Sequence, residues 1–324
     1  MIIRHFFSVT FFAAALFAVS HVSIAQEYPA KSVRMIVAGP PAGGADVVAR
    51  AMGPRLTQLM GQQIIIDNRA GANGVIATEM VAKAPPDGYT VLLGTSSALT
   101  LSPNLGAVPY DPLKSFVPVS MVGLAPLMLV VHPSVPAATT QALVKLAKAR
   151  PQQLLYASNG NGSLSHLTTE LFKHTAGIDM VHVPYKGGTP AVIDTISGQV
   201  SLIITAVPTL LAQVKAGKVR ALAVTGAKRA AVLPEISTIA ESGYPGFSSY
   251  QWYAVFAPAG TAPAIVQRLN GALAKTLAAP EVQEIFTREG LEISPGGPAD
   301  LGNFLAADFA KWARVVKAAG IKLD

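Results

Sequence analysis

The sequence predicts an α/β fold of two lobes, each an open, mostly parallel sheet covered by helices. Three observations carry this. Apolar, β-branched runs alternate with helical patterns along nearly the whole chain. Small polar or glycine-rich loops repeatedly join a strand end to a helix start. Two long proline-punctuated stretches interrupt the alternation. At 324 residues the chain is long enough for two domains with buried cores.

In chain order, the first 25 residues, MIIRHFFSVTFFAAALFAVSHVSIA, carry one basic residue, Arg4, no acid, a Phe/Ala/Val-rich stretch and the small-x-small ending Ser23-Ile24-Ala25. This is the pattern of a secretory signal peptide cleaved before Gln26. Ser8, Thr10, Ser20 and His21 leave its apolar part short for a membrane span. Cysteine is absent, so an exported chain must be held by core burial alone, which suits a bacterial periplasm.

The first lobe begins with apolar strands expected at 33–38, 63–67 and 90–94, separated by helical patterns at 46–60 and 75–84. From 109 to 136 the chain runs through prolines without a helical pattern and crosses to a second lobe. There the alternation resumes, with strands at 128–132, 154–158, 180–184, 200–205 and 219–225. The helices between them are expected at 140–149, 166–176, 190–197 and 210–216. A second extended stretch, 234–263, returns the chain to the first lobe. The expected division is therefore residues 26–125 in lobe one, 126–248 in lobe two and 249–324 back in lobe one. Two long amphipathic helices, 264–290 and 298–320, close the chain and are expected to pack on lobe one.

The formal charge of +7 is spread over helix ends and exposed faces, as in Lys145, Lys148 and Arg150 or Lys311, Arg314 and Lys317. No basic cluster is interleaved with aromatics, which argues against nucleic acid. Among enzyme signals, there is no thiol, no H-E-x-x-H and no G-x-S-x-G, and 160–166 lacks the ending of a phosphate-binding Walker loop. His132, His166, His174 and His182 fall on different expected elements, without metal-ligand spacing. The loop NGNGSLSHL follows a strand as a Rossmann loop would, but reads G-x-G-x-x-S, and the next strand ends in Tyr185 rather than an acid.

What recurs is one device: a strand end, a small polar loop and a helix start. It occurs in PPAGGAD (40–46), NRAGANG (68–74), GTSSALT (94–100), SNGNGSLSH (158–166), YKGGTPA (185–191) and TAVPT (205–209). The first loop alone suits a phosphate, a dinucleotide or a carboxylate, because helix N-termini present free N–H groups to any of them. Six such loops on facing sheet edges describe a cleft lined by N–H groups and hydroxyls, suited to an anion with several oxygens.

Across its expected mature length the chain resembles the substrate-receptor family of tripartite tricarboxylate transporters, the Bug-type periplasmic solute-binding proteins. The resemblance rests on PPAGGADVVAR, IDNRAGANG, APPDGYTVLLGTSS, YDPLKSFVPVS, YASNGNGSLSHLTTELFKHTAG, HVPYKGGTPAVIDTISGQV, QWYAVFAPAGT and AKWARVVKAAGI. It implies a class II periplasmic-binding-protein fold that closes on a small carboxylate through backbone groups and bridging water. It also implies a membrane permease as partner, a monomer, and no chemistry, metal or cofactor. The first loop departs from the family pattern, with Gly39 at the usual aromatic position and Ala42 at the first glycine. The strand 200–205 carries Ser201 and Thr205 where many members have acids. Thr205 offers only a hydroxyl, which favours a ligand without an ammonium group.

The ligand contacts expected on this basis are Ala42, Gly43, Gly44, Ser96 and Ser97 from lobe one. From lobe two they are Asn159, Ser163, Gly187, Gly188, Thr189 and Thr205. Trp252 and Tyr253 are expected either to wall the cleft or to pack in the hinge. Asp46 is expected to cap the following helix and order the first loop. Two other classes stay open: a periplasmic hydrolase using Ser163 or Ser165 with His166, and a sensory receptor signalling to a membrane kinase.

Overall fold

A computed structural model describes residues 28–321; the expected signal peptide, residues 1–25, and its cleavage point before Gln26 lie outside the described residues. In lobe one, β1 (Val33–Val37), α1 (Gly44–Met60), β2 (Ile64–Asn68), α2 (Val75–Ala82), β3 (Thr90–Thr95) and the short α3 (Ser102–Leu105) follow the expected alternation. The strand β4 (Phe116–Val131) then leads into α4 (Thr140–Ala149), β5 (Leu155–Ser158), α5 (Leu164–Ala176), β6 (Val181–Pro184), α6 (Gly188–Ile196), β7 (Leu202–Ala206), α7 (Val207–Lys215) and β8 (Arg220–Val224). The chain ends with β9 (Tyr250–Pro258), α8 (Pro263–Leu277), α9 (Pro280–Arg288), β10 (Glu292–Ile293) and α10 (Pro298–Ala319).

The two lobes are built on one shared strand. β1 pairs in parallel with β2 and β3, and β9 joins β3 antiparallel and passes the sheet on to β4. Residues Phe116–Pro126 of β4 pair with β9. From Leu127 to Val131 the same strand pairs instead with β7 and β8, and β7 continues in parallel to β5 and β6. The partner change between Pro126 and Leu127 is the first crossing between lobes. The second lies beside it, at Ser249. The Thr225 hydroxyl joins the two, accepting the Leu127 N–H at 2.8 Å and donating to the Ser249 carbonyl at 2.7 Å.

Strand alternation distributes the core. Met35 and Val37 of β1 face Met52 and Leu56 of α1 and Leu269 and Leu273 of α8, while Ile36 faces the opposite layer with Leu92, Leu99, Trp252 and Phe256. In lobe two, Leu129 and Ile204 pack with Leu167 and Phe172, and Met128, Val130 and Ile203 fill the other side.

The C-terminal region departs from expectation twice. The helix expected over 264–290 is two helices, because Pro280 has no N–H to donate and its ring would strike the preceding turn; Ala279 is extended and Pro280 restarts the helix. The last helix is not confined to lobe one. Leu301 and Leu305 enter the lobe-one core, whereas Trp312, Val315 and Val316 enter the lobe-two core with Leu167 and Phe172. Its 22 residues reach roughly 33 Å, long enough to brace both lobes across the hinge. Among the described residues no helix is long and apolar enough to cross a membrane.

Candidate functional site

The carboxyl ends of β1, β3, β5 and β7 open onto one cleft between the lobes. It comprises two adjoining cavities of about 440 and 590 Å³, which share Gly44, Asn73, Ser97, Gln251 and Tyr253. These volumes are those of small-molecule sites.

The loop after β1 is held by a carboxylate. Ala42 has φ +60° and donates its N–H to Asp46 Oδ2 at 2.8 Å, while Arg50 Nε lies 2.9 Å from the same carboxylate. Burial would raise the Asp46 carboxyl, but the hydrogen bonds from Arg50, Ala42 and Asn68 outweigh it and hold the group below the usual carboxylate range. Asp46 does not cap α1. It is the third helical residue and reaches back to Ala42, leaving Gly43 as an N-cap with no side-chain hydrogen bond. Among the described residues the first-turn N–H groups of α1 therefore have no side-chain partner, and Gly43, Gly44 and Ala45 all line the cleft. Gly44 is required by close approach: a Cβ there would collide with the Tyr253 hydroxyl.

Below it, Gly71, Ala72, Asn73 and Gly74 all have positive φ, a folded loop whose Asn73 reaches both cavities. At the end of β3, Thr95 and Ser97 line the cleft, but Ser96 does not. It is fully buried, with no partner for its hydroxyl among the described residues, because the chain turns into helical backbone at Ser96 and carries its side chain away from the cleft that Thr95 and Ser97 line.

From lobe two come Asn159, Ser163 and Thr205. The Thr205 hydroxyl lies 3.4 Å from Asn159 Nδ2, and Ser163 caps α5 by accepting the His166 N–H. The other three residues expected from this lobe do not line the cleft. Gly187 donates its N–H to the Asn159 carbonyl at 3.2 Å, and Asn159 lines the cleft while Gly187, Gly188 and Thr189 do not; Thr189 is exposed. Ser201 sits away from the cleft, accepting the Leu155 N–H.

Strand alternation also separates the two aromatics. Tyr253 faces the cleft, whereas Trp252 is fully buried behind it, its indole N–H donated to Asp308 Oδ2 at 2.9 Å. Trp252 is thus hinge-side core and no cleft wall. The Tyr253 phenol is pushed up to about 12, first by burial and then by the Glu289 carboxylate.

Several lining residues were not anticipated. Asn73 and Gln251 reach both cavities, and the crossing at Ala125, Pro126 and Leu127 forms part of the wall. Phe286, Glu289 and Leu291 also line the larger cavity, and Phe286 and Leu291 pack in one cluster with Val48 and Tyr253. The Asn-Gly pair at 73–74 was a visible signal, since Asn tolerates the left-handed conformation. Nothing in the sequence near Glu289 marked it. Among the described residues it is the only charged one lining the two cavities, and no Lys or Arg lines them.

The structure also joins two histidines that the sequence left apart. His166 and His182 stack at 3.9 Å beneath the 158–163 loop, with Tyr156 continuing the stack. Gly162 donates its N–H to His166 Nδ1 at 3.1 Å, and Ser158 Oγ lies 2.6 Å from His182 Nε2. The Ser163 hydroxyl donates to the Gly160 carbonyl and that of Ser165 to the Ile204 carbonyl, so neither is bonded to the His166 ring. Among the described residues no group of three His, Asp or Glu is placed to hold a metal.

Two lobes sharing a strand around a cleft lined by helix N-termini and hydroxyls define a two-lobed solute-binding protein. The chain belongs to the tripartite tricarboxylate transporter receptor family, whose model matches residues 48–321. Protein BugT of Bordetella pertussis is 41% identical over 304 residues, covering 92% of each chain. A Rhodopseudomonas palustris protein solved with adipate, Rpa4515, is 38% identical with TM-score 0.78, covering 91% of this chain and 99% of its own. MatC of the same organism, solved with bound malate, is 29% identical with TM-score 0.74, covering 89% of this chain and 100% of its own.

Proposed function

We propose that the chain is a periplasmic receptor that captures a small organic carboxylate and delivers it, as a monomer, to the membrane permease of a tripartite tricarboxylate transporter. It performs no chemistry and takes no cofactor. The observation that carries this reading is the uncapped N-terminus of α1, which faces Asn159, Ser163 and Thr205 across a cleft without basic side chains. A carboxylate there is held by N–H groups and hydroxyls rather than by an ion pair. Hydrogen bonds to a charged group contribute about 1.5–3 kcal/mol each. A few of them, after the cost of closing the lobes, reach the roughly −8.2 kcal/mol of a micromolar Kd. The adipate and malate carried by two relatives support the same class.

The test is titration calorimetry with mono- and dicarboxylates on protein unfolded and refolded to strip retained ligand, with intact-mass measurement of a periplasmic extract to locate the N-terminus. Micromolar binding and a chain starting at Gln26 are expected. Turnover of activated esters without carboxylate binding would overturn the receptor reading in favour of a hydrolase.

A further inference from the structure

Two features of unlike charge line the larger cavity. One is the uncapped N-terminus of α1 at Gly44, where the helix dipole favours an anion. The other is Glu289, the C-terminal cap residue of α9, whose carboxylate adds to the negative end of that helix. The same cavity has apolar lining from Val48, Leu127, Pro208, Phe286 and Leu291. Glu289 is 38% exposed, and its neighbour Arg288, itself 70% exposed, approaches only to 3.5 Å. A solvated pair of this kind is weak, so Arg288 does not hold the Glu289 carboxylate away from the cleft that it lines. Glu289 also adds to the upward shift of the Tyr253 phenol, and both residues line the larger cavity.

Resting on the carboxylate-receptor reading above, we propose that Glu289 and the C-terminus of α9 select against a second carboxylate on the ligand. The preferred ligand is a monocarboxylate whose apolar body ends in a neutral or hydrogen-bond-donating group, such as an ω-hydroxy or ω-amino acid. The carboxylate lies against α1, the chain lies along the apolar wall, and the terminal donor meets Glu289. This differs from the disposition of an α-amino acid, whose ammonium sits beside its carboxylate, where Thr205 supplies only a hydroxyl.

The experiment is calorimetric titration of the refolded protein with three acids of matched length, in both four- and six-carbon series: the plain acid, the dicarboxylate and the ω-amino acid. Glu289→Gln is compared with Glu284→Gln, which removes the same charge from an exposed position on α9 outside the cleft. The parent is expected to bind the ω-amino and plain acids more tightly than the dicarboxylate. Glu289→Gln should improve the dicarboxylate relative to the plain acid by about fivefold to tenfold, the scale of one partly screened charge contact. Glu284→Gln should leave the ratio unchanged. A parent that binds the dicarboxylate as tightly as the plain acid, or a ratio that Glu289→Gln does not move, overturns this inference and leaves the receptor reading standing. If no carboxylate binds, the receptor reading itself falls.

Discussion

The approach of α1 to β9 at the cleft can be probed by one methyl group. In Gly44→Ala the new Cβ would strike the Tyr253 hydroxyl and come within 3.5 Å of Cζ, an ordinary contact. Tyr253 is 9% exposed and anchored in β9, which pairs with both β3 and β4, so its ring cannot swing clear without disturbing the sheet. Overpacking of this kind costs about 1–3 kcal/mol. Against it stands a gain of up to about 1 kcal/mol for alanine over glycine in a helix. The net expectation is a loss of about 1–2 kcal/mol, with weaker carboxylate binding as Tyr253 is pushed. Tyr253→Phe removes only the hydroxyl, which makes no hydrogen bond among the described residues. In the double variant the clash is gone, and alanine should be neutral or stabilising. Urea denaturation of the four ligand-free proteins gives the coupling directly, expected to equal the clash itself, about 1–3 kcal/mol. Additive effects, within about 0.5 kcal/mol, would refute the steric account and show that the loop moves instead of the tyrosine.

Ala42→Gly should stabilise the protein by about 0.5–1 kcal/mol, because Ala42 holds φ +60°, where a Cβ is strained; unchanged or lower stability in denaturant would count against that strain. Thr225→Val strips a partner from the Leu127 N–H and the Ser249 carbonyl at the adjoining crossings and should cost about 2–4 kcal/mol, with altered lobe closure seen by X-ray scattering. A loss below 1 kcal/mol would place the hinge's strength elsewhere. Burial, reinforced by Lys173, lowers His166 to about 4. Burial, then His166, does the same to His182, where Lys173 lowers and Glu170 opposes. Both are therefore neutral in the folded protein at pH values where the unfolded chain takes up protons. Their contribution is intact above about pH 6.5 and falls as pH drops toward 4, by at most about 1.4 kcal/mol per pH unit for each imidazole. The melting temperature should decline over that window and decline less in His182→Gln; identical pH profiles for the two proteins would sink the argument.

By itself the sequence determined what local rules govern. The alternation of apolar runs and helical patterns specified the α/β fold class, and the two proline-rich stretches stood out as breaks in that alternation. Gly43 and Gly44 in the first loop, together with Asn159, Ser163 and Thr205, were legible because a strand end, a polar loop and a helix start share one geometry wherever they occur. Tertiary structure decided which side of each loop meets the cleft. Ser96 and Ser97 are chemically alike and adjacent, yet only Ser97 reaches it, and Tyr253 does so while Trp252 is core. Gly187–Thr189 have the same loop pattern as their counterparts but are not among the residues lining the cleft. Glu289, the stacked His166 and His182, and the bracing of both lobes by α10 bring together residues distant in the chain. Sequence periodicity reports the face that a residue occupies on its own element; what lies opposite that face depends on how separate elements pack, and that information is not local.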